Sequence, residues 1–214
     1  MLKLGNLIQQ DVFILENSHL GEFETWKNNY EHHLINNQFK ACKIGLPIST
    51  PNETKNQILK FIESLFIKVE LFHYHRLTAQ LTLFDLLKSD NHNEADKTIH
   101  VFPDFDVTYK TIGSELWDLA VKGYEVIFYK AERMKECQKN TSTLKRYSNK
   151  GVILGFSGSN KYPLGILHKR KIQKLMNDGI VDFWVTATCN PKDSLYLSEI
   201  KLKTELLTAK MRKN

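Results

Sequence analysis

The chain has 214 residues, 42% of them hydrophobic and 25% charged. That balance belongs to a globular protein and excludes a disordered one, and the length is enough to bury a core without staples. A net charge of +6 favours anionic partners: nucleic acid, phosphorylated small molecules or a membrane surface. No apolar run approaches the roughly 20 residues of a membrane span. The N-terminal residues show no apolar core or cleavage site of a signal peptide, so a cytoplasmic protein is expected. Cys42, Cys137 and Cys189 are widely spaced and odd in number, which argues for reduced thiols and against a disulfide framework or a zinc knuckle.

In chain order, Asp11–Leu15 reads as a strand. Phe23, Trp26, Tyr30 and Leu34 recur at helical spacing and predict an amphipathic helix over Glu22–Gln38. His32 and His33 lie on it without a third ligand, as packing or surface residues. Phe39–Leu46 reads as a strand stopped by Pro47. Thr50-Pro51-Asn52-Glu53 is a helix start, with Thr50 as cap and Glu53 completing a capping box. Ile58, Phe61, Ile62, Leu65, Val69, Phe72, Leu77, Leu81 and Phe84 then follow at helical intervals. One helix to Lys88 would be roughly 57 Å long, which predicts a break near Glu70–Arg76 or a helix contacting a partner through residues 54–88. Ser89–Lys97 is a polar boundary.

Past that boundary the pattern changes. Seven of the ten glycines lie between Gly113 and Gly179. Strands are expected at Ile99–Phe102, Tyr124–Tyr129, Gly151–Phe156 and Ile180–Thr186. Helices are expected at Ser114–Lys122, Leu164–Asn177 and Tyr196–Arg212, and Ala131–Asn149 reads as a short helix followed by a loop. Strand, helix, glycine, strand argues for βαβ units. The fold expected is α/β, a Rossmann-like parallel sheet over 98–214 with a mainly helical region over 1–97.

Strands of a parallel sheet end along one edge, where ligands bind. The ends here offer Asp104 and Asp106, then Lys130 and Glu132, then Ser157-Gly158-Ser159-Asn160-Lys161, then Thr186–Asn190. Two carboxylates suit a hard cation such as Mg²⁺. Glycine-flanked serines and a lysine suit a phosphate. A plain turn at Asp104–Asp106 and a plain capping loop at Ser157–Asn160 remain the alternatives.

The run Thr98-Ile-His-Val-Phe-Pro-Asp-Phe-Asp-Val-Thr108 resembles the first motif of the haloacid dehalogenase-like phosphatases, a hydrophobic strand ending in D-x-D-x-T. The resemblance implies Asp104 as nucleophile and metal ligand, Asp106 as general acid/base, and Thr108 as support for the turn. Val152–Asn160 looks like the family's second motif, which implies Ser157 as a phosphate binder, with Ser159, Asn160 and Lys161 beside it. Pro103 and Val107 depart from the family pattern. Its later acidic motif has no counterpart, and Asp193 is the acid left to complete a metal set. The function expected is Mg²⁺-dependent phosphoryl transfer or phosphate-ester hydrolysis on a phosphorylated small molecule or nucleic acid.

Two further patterns bear on function. Phe72-His73-Tyr74-His75 with Tyr147 resembles the His-hydrophobic-His strand and the nucleophilic tyrosine of replication-initiating endonucleases. Placed in a helical run, the two histidines would point apart. Residues 130–150 hold seven Lys or Arg against two acids, and residues 161–174 hold five and none. With Tyr129, Tyr147 and Tyr162 interleaved, these segments suit a non-catalytic binder of nucleic acid or protein.

Overall fold

The middle of the chain carries a pattern that fits two periods, and its backbone follows the period of a strand. In Lys68–Leu77 (K-V-E-L-F-H-Y-H-R-L) apolar and polar residues take turns over part of the run, which carries β-branched Val69 and the rings of Phe72 and Tyr74. In the computed structural model it is a strand, β3. The structure describes residues 10–15, 23–36, 39, 41–88, 97–157, 174–175 and 178–185. The elements are β1 (Gln10–Ile14), α1 (Phe23–Asn36), β2 (Ala41–Pro47), α2 (Asn52–Ser64), β3, α3 (Leu83–Leu87), β4 (Thr98–Pro103), α4 (Tyr109–Val121) and β5 (Glu125–Tyr129). A 3-10 turn (Ala131–Arg133), α5 (Lys135–Lys139), α6 (Ser142–Asn149), β6 (Ile153–Ser157) and β7 (Phe183–Val185) follow.

The helical run expected over 54–88, with its break near Glu70–Arg76 or a partner contact, is therefore replaced by helix, strand and helix. The periodicity at Val69, Leu71 and Phe72 fits both a helix and a strand. The extended backbone at Leu65 (ψ 138°) ends α2 before the ambiguous stretch begins. Nor is the N-terminal region mainly helical, because it contributes β1 and β2, paired in parallel from Gln10 opposite Ala41 to Ile14 opposite Gly45. Thr50 does not cap α2. Its hydroxyl donates to the Pro47 carbonyl at 2.7 Å, and Pro51 occupies the cap position.

Two units make up the chain: Met1–Phe72 with Gly158–Leu164 and Phe183–Asn214, and His73–Ser157 with Gly165–Asp182. The division falls inside β3, and residues 97 and 98 lie within the second unit. In the first unit, Phe13 and Leu15 meet Trp26, Tyr30 and Leu34 of α1, Cys42, Ile44 and Leu46 of β2, and Ile58 and Phe61 of α2. Gly45 belongs to this core for a steric reason. A Cβ there would stand 2.6 Å from the Phe72 ring and 2.8 Å from Ile14 Cδ1.

The second unit is a parallel α/β arrangement. β3 pairs with β4 (His75 opposite Val101), β4 with β5 (Thr98 opposite Glu125) and β5 with β6 (Ile127 opposite Ile153), all parallel. Strand order follows chain order from β3 to β6. A doubly wound Rossmann sheet reverses its order to create a crevice, and these four strands contain no such reversal. The Rossmann-like expectation is corrected to a parallel sheet whose strands succeed one another. The shared C-terminal edge survives that correction, since all four strands run the same way. Ile99, Val101, Val126, Phe128, Leu154 and Phe156 fill the strand layer, with Ile112, Leu116 and Leu119 of α4 packed as buried partners. α4 ends at Gly123 in the left-handed conformation (φ 79°), the stop expected from the sequence.

Candidate functional site

The C-terminal ends of β3, β4, β5 and β6 in the second unit carry the expected acids and several cations. At the end of β4, the Asp104 N–H donates to the Leu77 carbonyl at 2.8 Å. That bond joins the turn after β4 to the end of β3. Arg76, one residue before that end, donates through Nε to Asp104 Oδ1 at 2.7 Å. Its side chain is 64% exposed, so the pair contributes at most about 1 kcal/mol to stability. Its chemical effect is to hold and part-neutralise the carboxylate expected to act as nucleophile.

Asp106 is exposed on the following turn, two residues beyond Asp104. Thr108 precedes α4 without capping it through its side chain. Instead, the Thr111 hydroxyl donates back to the Thr108 carbonyl at 2.7 Å. The Lys135 N–H donates to the Phe105 carbonyl at 2.8 Å, and Glu136 accepts the Tyr109 N–H at 2.5 Å. Two bonds thus tie the Asp104–Thr108 turn and the start of α4 to the segment after β5.

The end of β5 is built differently. The Tyr129 hydroxyl and His100 Nδ1 lie 2.7 Å apart, with their rings stacked. Lys130 follows with a fully buried side chain and a left-handed backbone (φ 57°, ψ 44°). It is the non-glycine residue with positive φ among those described, a conformation that costs about 1–2 kcal/mol. Its Nζ lies 5.4 Å from the centre of the Phe102 ring, and the Arg133 guanidinium stands at the same distance from the same ring. Glu132, in the same turn, is buried.

Ser157 ends β6 at this edge. Its side chain, and Ser159, Asn160, Lys161 and Asp193, lie outside the described residues. Asp104 and Asp106 therefore share one turn, as the sequence predicts, and Arg76, Lys130 and Arg133 join them on neighbouring strand ends. The sequence marks Lys130 and Glu132 at a strand end, with Lys130 in the basic segment 130–150, and nothing in it marks Arg76. The pairing of Arg76 with Asp104 spans 28 residues and leaves no local signal. The signal at β5 is the concentration of charge in Lys130-Ala-Glu-Arg133 directly after a buried strand.

The endonuclease resemblance loses its tyrosine. Tyr147 is fully buried, and its hydroxyl donates to Glu136 at 3.0 Å. Burial, then the nearby Glu136 carboxylate, pushes that hydroxyl's pKa well above the usual phenol range. His73 and His75 lie on β3 and not on a helix. His33 packs between Tyr30 and Phe39, in keeping with the packing role expected of it.

Among the described residues, no three His, Cys, Asp or Glu side chains form a group able to hold a metal ion. Asp104 has the Arg76 guanidinium on one of its oxygens. The described residues do not fit a metal centre.

No protein-family model matches the chain, and no curated protein matches it. A solved structure is similar over 89% of this chain and 86% of its own, with a TM-score of 0.63 and 18% identity. It comes from work on YwqE from Bacillus subtilis and CpsB from Streptococcus pneumoniae, described as unique metal-dependent tyrosine phosphatases. At that identity the likeness shows the fold. The fold is thus one also used by a phosphatase, and no haloacid dehalogenase match accompanies it.

Proposed function

We propose that the protein binds phosphate esters at the C-terminal ends of β3–β6 and hydrolyses them. The observation that carries this reading is the meeting, at one strand edge, of a D-x-D turn with the cations Arg76, Lys130 and Arg133. Phosphate hydrolysis needs positive charge around the transferring group and a carboxylate or water held in line. This edge supplies both kinds of group. Asp104, oriented by Arg76 and by its own N–H, is the candidate nucleophile, and exposed Asp106 is the candidate acid for the leaving group. Ser157, Ser159, Asn160 and Lys161 follow β6 in the chain and are proposed to hold the phosphate.

The similar structure is that of a metal-dependent tyrosine phosphatase, which makes a phosphotyrosine-like aryl ester the first substrate to try. It also makes Mg²⁺ and Mn²⁺ the first ions to add, with Asp104, Asp106 and Asp193 the acids to vary. The test is hydrolysis of p-nitrophenyl phosphate and of a phosphotyrosine peptide, with each divalent ion and with chelator. Asp104→Asn should lower turnover by roughly 10²-fold or more while the melting temperature barely moves. A wild-type protein inert toward both esters under every condition sinks the proposal.

The second reading, a nucleic-acid or protein binder using segments 130–150 and 161–174, is less favoured by the contacts observed. Of the seven Lys and Arg in 130–150, Lys130 and Arg133 face Phe102, Lys135 faces Phe105, Arg146 faces Tyr109 and Lys150 faces Trp117. Lys145 is paired with Asp178 at 2.8 Å. Side chains held against rings or an acid are less available to reach phosphates, so any nucleic-acid affinity should be weak and its dependence on salt shallow.

A further inference from the structure

The turn after β4 carries an apolar ring at its tip. The Val107 N–H donates to the Asp104 carbonyl at 3.3 Å and closes the turn, so Phe105 and Asp106 stand at its two central positions. Such positions favour proline, glycine and small polar residues. Phe105 is instead large and apolar, and it is 49% exposed. Its backbone is held on several sides. The Asp104 N–H donates to the Leu77 carbonyl and the Lys135 N–H to the Phe105 carbonyl, each at 2.8 Å, and Val107 is buried. The exposed Lys135 places Nζ over the Phe105 ring, 5.8 Å from its centre, near the roughly 6 Å limit of such contacts. That contact restrains the ring and leaves it open to solvent. Leu81, Trp117 and Val121 are the other exposed large apolar side chains described in this unit. Trp117 and Val121 lie on the second half of α4, and Trp117 is faced by Lys150. Phe105 differs from these in being flanked by two carboxylates, those of Asp104 and Asp106.

We infer that Phe105 determines specificity on the leaving side of the ester, its ring stacking on a planar aromatic group that the substrate carries. This deepens the phosphate-ester reading above and rests on it for the role of the two acids. A single exposed ring needs no explanation by itself. This one is fixed between the candidate nucleophile and the candidate acid, where a leaving group must pass. Because the turn is already held, little ordering is lost when a flat group settles on the ring. Two kinds of ester carry such a group. In an aryl phosphate the ring is bonded to the ester oxygen, whereas in a nucleotide the base lies beyond a ribose. Phe105 neighbours both acids in the chain, which favours the group closest to phosphorus, an aryl ester. An alkyl ester has no flat face and gains little from the ring.

The experiment measures kcat and KM of the full chain on phenyl phosphate, a nucleoside monophosphate and glycerol phosphate, with and without divalent metal. Calorimetry adds the binding of phenylphosphonate and methylphosphonate, which carry no ester bond to hydrolyse. Phe105→Ala should lower the phenyl-over-glycerol ratio of kcat/KM about five-fold or more, through KM more than kcat. Phe105→Trp keeps a ring and should keep the ratio. Phe105→Leu keeps apolar bulk without a π face and should lose it. The preference for phenylphosphonate over methylphosphonate should shrink in Phe105→Ala by a similar factor. Hydrolysis with the same ratio in wild type and Phe105→Ala overturns the inference and leaves the hydrolase reading standing. A full ratio in Phe105→Leu overturns stacking, and a Phe105-dependent preference for the nucleoside monophosphate over phenyl phosphate overturns the aryl assignment. Absence of hydrolysis, with a phenylphosphonate preference that is lost in Phe105→Ala, ends the hydrolase reading and leaves the aromatic subsite standing. Absence of hydrolysis with no preference between the phosphonates ends both.

Discussion

The two units differ in what faces their aromatic rings. In the first unit rings pack on rings. Phe13 lies 4.7 Å from Tyr30 and 5.4 Å from Trp26, and Trp26 stacks on Tyr30 and meets Phe61 edge-on. In the second unit rings also pack on rings, Tyr147 against Tyr109 and Phe128, and several are faced by cations as well: Lys97 on Tyr124, Lys122 on Phe84 and Lys150 on Trp117. Ring–ring packing removes apolar surface from water and stabilises without regard to charge. Cation–ring contacts hold positive charge in fixed places, including the strand ends where the D-x-D turn lies. The difference separates a unit that is mostly scaffold from one that organises an electrostatic surface.

The comparison breaks most readily in the first unit. Phe13→Ala should cost about 3–5 kcal/mol, read as a lower urea midpoint. If it costs less than 1 kcal/mol, the ring cluster is not the core of that unit. Gly45→Ala should cost about 1–3 kcal/mol, because the new methyl group displaces the Phe72 ring. Here a measured stabilisation would contradict the close approach.

The second unit should answer to charge. Asp182 accepts the Leu154 N–H at 2.8 Å and is part-buried. Its pKa lies above the usual carboxylate range because burial outweighs that hydrogen bond. A raised folded-state pKa means the native state holds the proton where the unfolded chain has lost it. Stability is therefore greatest below the unfolded pKa and declines as pH rises through the folded one. Asp182→Asn keeps an oxygen acceptor and removes the charge. Its melting temperature should exceed the wild type's at pH 7, with the gap closing as pH falls toward the unfolded pKa of an aspartate. A gap that widens on acidification would reverse this account.

The smallest effect expected is at Lys150→Met, which uncovers the exposed Trp117 ring. The change should be about 0.5–1 kcal/mol or less, visible only as a small shift in chemical denaturation. A loss above 2 kcal/mol would show that the cation carries more structure than its exposure suggests.

How much of this was legible in the sequence depended on whether the signal was local. The helix at Phe23–Asn36 was, because Phe23, Trp26, Tyr30 and Leu34 repeat at one period and no other. The strands ending at Pro103 and Tyr129 were, because short apolar runs met Pro, Gly and clustered charge. The strand Lys68–Leu77 was not, since its apolar residues satisfy two periods at once and nothing between Ser64 and Lys68 announces a stop. Within the site, Asp104 and Asp106 stood out as a motif. Arg76 did not, because its partner is brought to it by strand pairing. Lys130 was visible as a charge at a strand end. Its left-handed backbone was invisible, since sequence flags that conformation through glycine or asparagine and lysine carries no such mark.

The two bonds from Lys135 and Glu136 to the turn after β4 have a mechanical meaning. They make the acid-bearing turn and the cation-bearing segment a single hinged plate. A ligand that pulls on the charges after β5 also pulls on Asp104 and Asp106, without any separate closing motion. Solvent exchange at the amides of Lys135 and Tyr109 is therefore a gauge of that plate. Both amides should slow together when phosphate binds, and both should quicken together in Glu136→Gln, which weakens one of the two fastenings.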